Sequence, residues 1–138
     1  MPAPYSPPQR KSRRLVITLI ALILILIVVV VVGLLTRPDP AVKLIEQTVE
    51  VCNDSGFVRV ADEGRTLIVS TEGEEAIGAR FDELYCVINE LEVPASIINR
   101  IDTTRALDGM QFGSWDSFEA SWNYHPDNGM NLVVSVAD

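Results

Sequence analysis

The single histidine of the chain, His125, is the side chain best suited to acid–base chemistry near neutral pH. It opens the segment 125–129, His-Pro-Asp-Asn-Gly, which is dense in turn-forming residues. A catalytic histidine needs a nucleophile and an orienting acid within hydrogen-bonding reach, and no Gly-x-Ser-x-Gly frame accompanies this one. We therefore interpret His125 as a turn residue, with a pH-sensitive contact and catalysis as the alternatives.

Acidic side chains are the other candidates for chemistry, and they cluster in predicted loops: Asp54, Asp62, Glu63, Glu72, Glu74 and Glu75. Calcium prefers six to eight oxygen ligands, often on alternating positions of a turn, and no Asp-x-Asp-x-Asp-Gly loop occurs. One histidine and two well-separated cysteines do not make a zinc site. We expect solvated acidic loops and no cofactor. Weak divalent-cation binding and a carboxylate pair for glycan hydrolysis remain alternatives.

Three aromatic residues, Trp115, Trp122 and Tyr124, lie on or near adjacent predicted strands. Core and edge packing is the preferred interpretation, because aromatic side chains bury the largest areas. Trp122 and Tyr124 fall on the apolar face of their strand, whereas Trp115 has no obvious place. If Trp115 is exposed, it is the first candidate for a partner contact, because tryptophan is prominent among interface hot spots.

A long apolar run near the N-terminus is expected to determine where the protein is located in the cell. Eighteen of the 21 residues from Leu15 to Leu35 are Leu, Ile or Val, and none is charged. As a helix the run is about 31 Å long, close to the hydrocarbon thickness of a bilayer. A cleaved signal peptide is the rival interpretation, but its apolar core is about 7–15 residues and precedes a small-x-small site. Residues 34–38, Leu-Leu-Thr-Arg-Pro, offer no such site. The run predicts an uncleaved transmembrane helix.

Charge predicts the orientation of this helix. Residues 1–14 contain no acid and four basic residues: Arg10, Lys11, Arg13 and Arg14. Because a basic flank stays in the cytoplasm, the N-terminus is expected inside and residues 36–138 outside the plasma membrane. The Pro-rich tail 1–14 is predicted to be disordered. Residues 36–138 carry nineteen acids and seven basic residues, a net charge of −12. This charge disfavours nucleic acid and tight docking onto anionic lipid.

The two cysteines, Cys52 and Cys86, are predicted to form a disulfide. Both lie in the segment assigned to the outside, where disulfides persist. Cys86 lies off the apolar stripe of its predicted helix, and the helix that ends at Cys52 is a natural cover for that flank. The bond closes a loop of about 35 residues and contributes roughly 3–4 kcal/mol on the chain-entropy model. Two reduced, buried cysteines are the alternative.

Residues 36–138 show an αββααβββ order of predicted elements. Asp39-Pro40 reads as the N-cap and first residue of a helix that ends near residues 53–56. The other helices are predicted at about 78–91 and from Pro94 through Ile101, and the strands at 57–61, 66–71, 110–115, near 118–124 and near 130–136. The last two strands alternate apolar and polar residues, which suits one buried and one wet face. The predicted fold class is therefore a single N-terminal transmembrane helix plus a small α+β outer domain. In that domain an antiparallel five-stranded sheet carries its helices on one face.

Two helices carry apolar stripes at helical spacing. The stripe of the first predicted helix is Val42, Ile45, Val49 and Cys52, and that of the second is Phe81, Leu84, Tyr85, Ile88 and Leu91. These stripes are expected to pack on the sheet.

The segment from Thr104 onward reads TRALDGMQFGSWDSFEASWNYHPDNGMNLVVSV. It resembles the C-terminal signature of small envelope proteins of high-GC Gram-positive bacteria. In that group an Arg-Ala-Leu-Asp-Gly segment precedes an Ala-Ser-Trp-x-Tyr-His-Pro-Asp hairpin. The stretches Leu-Tyr-Cys-Val-Ile and Glu-Val-Pro-Ala-Ser are also similar. The resemblance implies a membrane-anchored or secreted protein of the bacterial envelope and supplies no activity or catalytic residue.

These observations lead to one functional expectation with one alternative. We expect a membrane-anchored extracytoplasmic module with a non-catalytic binding or structural role, whose partner is an envelope protein or a glycan. The alternative is an envelope hydrolase that uses loop carboxylates. A cleft lined by two buried acids favours the enzyme, whereas an exposed tryptophan or an apolar patch without a cleft favours the module.

Overall fold

The computed structural model describes residues 10–35 and 39–137. The chain divides into two compact units, with the boundary between residues 37 and 38. Residues 1–9 of the tail that we predicted to be disordered lie outside the described residues.

The first unit is a single helix, α1, at Arg10–Leu35. It begins before the apolar run, so residues 10–14 are helical where we expected a disordered tail. Arginine and lysine are good helix formers, and a helix already formed by the apolar run extends through them at little cost. The Thr18 hydroxyl donates to the Leu15 carbonyl at 2.8 Å, which satisfies the polar group within the helix. The window Arg13–Leu34 has a mean hydropathy of 3.8, so α1 is long and apolar enough to cross a membrane.

The second unit follows the predicted αββααβββ order. Its elements are α2 (Pro40–Cys52), β1 (Val58–Ala61), β2 (Thr66–Ser70), α3 (Phe81–Glu90), α4 (Ala95–Thr103), β3 (Gln111–Trp115), β4 (Phe118–His125) and β5 (Gly129–Val136). The five strands form one sheet in the order β1-β2-β5-β4-β3, and each neighbouring pair is antiparallel. The small antiparallel sheet with helices is therefore confirmed.

The core lies on one face of this sheet. Leu132 in the central strand β5 pairs with Val69 of β2 on one side and with Trp122 of β4 on the other, and all three are buried. The alternate row, which includes Asn131 and Glu119, is partly or fully exposed. Buried residues of α2, α3 and α4 join the same apolar cluster as the buried strand residues. The helices thus cover one face and leave the other open to solvent.

Helix α2 starts as predicted, because the Asp39 carboxylate accepts from the Ala41 backbone N–H at 2.9 Å and Pro40 is the first helical residue. Its buried face differs from the predicted stripe by about one residue: Ala41, Ile45, Thr48 and Cys52 are buried, whereas Val42 and Val49 are only partly buried. The Thr48 hydroxyl donates to the Leu44 carbonyl at 2.8 Å. A polar residue can face the core because this bond satisfies its hydroxyl.

The Cys52–Cys86 disulfide is present, with the two Cα atoms 5.6 Å apart. It joins the last residue of α2 to the middle of α3. Cys86 is partly buried and lies beside the helix face that packs on the sheet. The flank of α3 that the sheet leaves uncovered is therefore covered by α2, as predicted.

The buried face of α3 also departs from the predicted stripe. Leu84, Val87, Ile88 and Leu91 are buried, whereas Phe81 and Tyr85 are 50% and 40% exposed. Spacings of three and four residues allow either stripe, so only the packing of the neighbouring elements decides between them.

Candidate functional site

The structure corrects the expectation that Trp115 is a partner contact. We named it as a partner contact on the condition that it is exposed, but it is 7% exposed. Its indole Nε1 donates to the Leu91 carbonyl at 2.9 Å, and its ring lies 5.7 Å from that of Phe118. Leu91 is the C-cap residue of α3, so this hydrogen bond satisfies a carbonyl that the helix leaves without a partner. Trp115 thus joins β3 to α3 and has no surface to offer a partner.

His125 lies at the end of β4, at the start of a turn, with half of its side chain exposed. Its Nδ1 accepts from the Asp127 backbone N–H at 3.3 Å and lies 3.6 Å from the Asp127 carboxylate. This is the geometry of a side chain that closes its own turn. The interpretation of His125 as a turn residue fits these contacts.

The loop acids do not assemble into a site. Within residues 10–35 and 39–137 no group of three or more His, Cys, Asp or Glu side chains is placed to hold a metal ion. Glu74 and Glu75 are exposed, and their backbone N–H groups donate to the Pro126 and Asp127 carbonyls at 2.9 and 3.0 Å. These bonds hold the loop against the β4–β5 turn, while the carboxylates remain in water.

Among the described residues Glu83 is the one buried acid, at 3% exposure. Its two carboxylate oxygens accept from the backbone N–H groups of Arg80 and Ser55, each at 2.7 Å. Burial by itself raises the pKa of Glu83, but these hydrogen bonds and the nearby Arg80 charge outweigh it and hold the pKa below its ordinary value. Glu83 is committed to structure, and a cleft lined by two buried acids is not found in the described part of the chain.

A concavity in the second unit lies between α3, the C-terminal end of α4 and the β4–β5 hairpin. We call it the aromatic cleft. Its volume is about 260 Å³, and it opens to solvent. Its lining consists of three aromatic side chains, three buried aliphatic or thioether side chains and two polar ones: Phe81, Tyr85, Tyr124, Leu84, Ile101, Met130, Asp102 and Thr104.

Local structure explains the positions of the residues that line the aromatic cleft. Phe81 and Tyr85 are one turn apart on α3, beside the buried face of that helix. Tyr124 and Met130 lie directly opposite each other in the β4–β5 pair, so their side chains share the helix-covered face of the sheet. Asp102 follows the buried Ile101 near the end of α4 and is exposed.

The Tyr85 hydroxyl donates to the Asp102 carboxylate at 2.5 Å and links α3 to α4 across the aromatic cleft. This hydrogen bond, with burial and the negative charge of Asp102, raises the pKa of Tyr85. The phenol therefore stays neutral in the physiological range and acts as a donor. Its hydrogen bond to Asp102 holds one oxygen of that carboxylate in place.

Thr104, which also lines the aromatic cleft, is held by two hydrogen bonds. Its hydroxyl donates to the Arg100 carbonyl at 2.6 Å and accepts from the indole Nε1 of Trp122 at 2.9 Å. The Arg100 guanidinium lies 5.2 Å from the centre of the Trp122 ring, which is fully buried. These contacts fix the end of α4 against the sheet and give the aromatic cleft a rigid side.

This cleft was not predicted from the sequence. Phe81 and Tyr85 were assigned to a core stripe, Tyr124 to an apolar strand face, and Asp102 was not singled out. A signal was available: Leu84, Val87, Ile88 and Leu91 form a complete stripe by themselves, which leaves the two aromatic residues at its border. No local pattern, however, indicates that three segments about 20 residues apart meet there.

No protein-family profile, curated protein or solved structure matches the chain.

Proposed function

We propose that the protein is a non-catalytic binding module held at the plasma membrane by α1, with its second unit on the outer side. The observation that carries the binding role is the aromatic cleft. It combines a buried apolar floor, exposed aromatic side chains and one oriented carboxylate, which is the usual composition of a small-ligand site.

The membrane anchor is supported by length and composition. A 22-residue helical window of mean hydropathy 3.8 spans about 33 Å. A signal sequence near the N-terminus passes the same test, but its apolar core is typically about 7–15 residues. The basic residues at the start of α1 support a cytoplasmic N-terminus. The Cys52–Cys86 disulfide suits an oxidising outer compartment. A location in the envelope of a high-GC Gram-positive bacterium is part of the proposal and rests on the resemblance of the C-terminal segment.

A non-catalytic role is supported by where the reactive side chains lie. Glu83 is used to hold two backbone segments, and His125 closes its own turn. The carboxylate at the aromatic cleft, Asp102, already accepts a hydrogen bond from Tyr85.

The test uses the full chain in nonionic polyoxyethylene detergent, with ¹³C-labelled methionine methyl groups. Met130 reports on the floor of the aromatic cleft, and the exposed Met110, just before β3, is an internal control. A panel of small probes covers four chemical classes: choline, 3,3-dimethyl-1-butanol, glucose and acetate. We expect at least one probe to shift the Met130 signal saturably without moving Met110.

Two matched variants identify the site of binding. Phe81→Ala removes a half-exposed ring from the rim and should abolish the shift, whereas Phe112→Ala removes an exposed ring from the other face of the sheet and should preserve it. Absence of a saturable Met130 shift with every probe up to about 10 mM would overturn the binding role, because even a millimolar Kd is then detected.

A further inference from the structure

Among the described residues, the lining of the aromatic cleft carries one formal charge, which is negative. Asp102 is an exposed acid in this lining, and no described lysine, arginine or histidine belongs to it. The segment from residue 36 onward, which carries the aromatic cleft, has a net charge of −12. Both the local and the long-range field therefore attract cations and repel anions.

The polar side-chain groups of the aromatic cleft are few: the hydroxyls of Tyr85, Tyr124 and Thr104 and the carboxylate of Asp102. The Thr104 hydroxyl both donates and accepts within the fold, and the Tyr85 hydroxyl donates to Asp102. A sugar brings several hydroxyl groups that need partners when they leave water, and this lining offers too few. A polyhydroxylated ligand is thus a poor match.

A neutral apolar ligand is also a poor match. Seated among Phe81, Tyr85 and Tyr124, it displaces water from Asp102 and offers the carboxylate nothing in return. Removing water from a charged group without offering it a partner is unfavourable and opposes what burial of a small apolar ligand gains. The ligand that suits the aromatic cleft must bring both apolar surface and positive charge.

We propose, on the basis of the binding function proposed above, that the aromatic cleft binds an organic ammonium group. Aromatic rings attract such a cation through their quadrupole, and a carboxylate adds a Coulombic contact. The Tyr85 hydroxyl donates to Oδ1 of Asp102 and orients the carboxylate, and the negative charge of that carboxylate remains available to a cation. The volume of about 260 Å³ admits one ammonium head with its alkyl substituents.

The test compares two probes of nearly equal shape. Choline carries the ammonium nitrogen, and 3,3-dimethyl-1-butanol has a carbon atom in its place. Binding to the full chain in nonionic polyoxyethylene detergent is followed by the Met130 methyl signal, with Met110 as the internal control. We expect choline to bind at least about fivefold more tightly than the neutral probe.

Two variants separate the local charge from the total charge. Asp102→Asn keeps an oxygen that accepts from Tyr85 and removes only the charge, so choline binding should weaken by at least about fivefold while the neutral probe is unaffected. Glu119→Gln removes the same charge from the opposite face of the sheet and should leave choline binding unchanged.

The outcomes distinguish this inference from the function on which it rests. Equal binding of the two probes, or choline binding that is indifferent to Asp102→Asn, overturns the ammonium site but leaves a binding cleft. A Met130 signal that responds to no probe of any class overturns both. A loss of choline binding in Glu119→Gln equal to that in Asp102→Asn also overturns the site, because the effect is then one of overall charge.

Discussion

At the scale of single residues, Glu83 connects parts of the chain that are far apart in sequence. Its carboxylate accepts the backbone N–H of Arg80 at the start of α3 and that of Ser55 in the loop that follows Cys52. The same loop is held by the Asn53 side chain, which accepts from the Val58 backbone N–H at 3.1 Å. One buried acid thus caps a helix and orders the connection from α2 to β1.

We expect Glu83→Gln to lower the free energy of unfolding by about 1–3 kcal/mol at neutral pH, because hydrogen bonds to a charged acceptor are lost. The pKa of Glu83 is depressed in the folded protein, from an ordinary value of 4.5. Its contribution is therefore complete above that value and is lost as the pH falls through the folded-state pKa. The measurement is urea unfolding at neutral pH and at about pH 3. The difference in the free energy of unfolding between wild type and variant should be smaller at the acidic pH.

Glu90→Gln is the matched control for this prediction, because Glu90 is an exposed acid near the end of the same helix. It should change the free energy of unfolding by less than about 0.5 kcal/mol. If Glu83→Gln lowers the free energy of unfolding by the same amount at neutral and at acidic pH, the role assigned to the charge of Glu83 is contradicted.

At the scale of elements, the end of α3 shows how local chemistry and packing combine. The Val93 N–H donates to the Ile88 carbonyl at 3.0 Å and the Glu92 N–H to the Asn89 carbonyl at 3.1 Å, which together form a Schellman motif. Glu92 has φ of 51°, the left-handed conformation that glycine usually supplies at this position. Val93 and Ile88 are buried, so the motif also turns the chain into the core.

We expect Glu92→Gly to raise the free energy of unfolding by about 0.5–1 kcal/mol, because glycine adopts a positive φ without a clash at Cβ. Glu90→Gly, in the helical conformation only two residues earlier, should lower it by about 0.5 kcal/mol. Thermal unfolding of the two variants beside the wild type is the measurement. A lower midpoint for Glu92→Gly would contradict this assignment of the strain.

The disulfide is the covalent connection between two elements, α2 and α3. Replacing both Cys52 and Cys86 by Ala should lower the free energy of unfolding by about 3–4 kcal/mol, because the unfolded chain regains the freedom of a closed loop of about 35 residues. Reductant should shift the denaturation midpoint of the wild type toward that of the double variant and leave the variant unchanged. An equal effect of reductant on both proteins would show that the bond carries no stability.

At the scale of the whole molecule, the chain combines two units of opposite character. The apolar run of helix α1 has no face suited to water, whereas the second unit has its own apolar core beneath a sheet whose other face is wet. The charges are divided in the same way, with four basic residues before the apolar run and all nineteen acids after it.

We expect a reporter enzyme that works only outside the cytoplasm to be active when fused to the C-terminus, because a basic N-terminal flank stays inside. Changing Arg10, Lys11, Arg13 and Arg14 to Gln should reduce that activity by allowing the inverted orientation. Exchanging lysine and arginine at the same four positions preserves the charge and should preserve the activity. Activity only of a cytoplasmic reporter in the wild type would contradict the orientation.

Local patterns were enough for much of the fold. The order of elements, the start of α2 at Asp39-Pro40 and the Cys52–Cys86 bond all follow from the sequence and agree with the structure. These features depend on periodicity, on capping chemistry or on the presence of just two cysteines, and each can be evaluated within a short stretch of chain or by a simple count.

The sequence by itself therefore determined the elements, their order and the apolar run, because backbone periodicity and composition act over neighbouring residues. Only the tertiary structure decided which aromatic residues are exposed. Trp115 is buried in the core, where the Leu91 carbonyl, 24 residues earlier, accepts from its indole. Phe81 and Tyr85 remain accessible because α4 and the β4–β5 hairpin meet α3 around a gap instead of closing over it. Helical spacing tells which side chains share a face, but the element that packs on that face is a property of the whole fold.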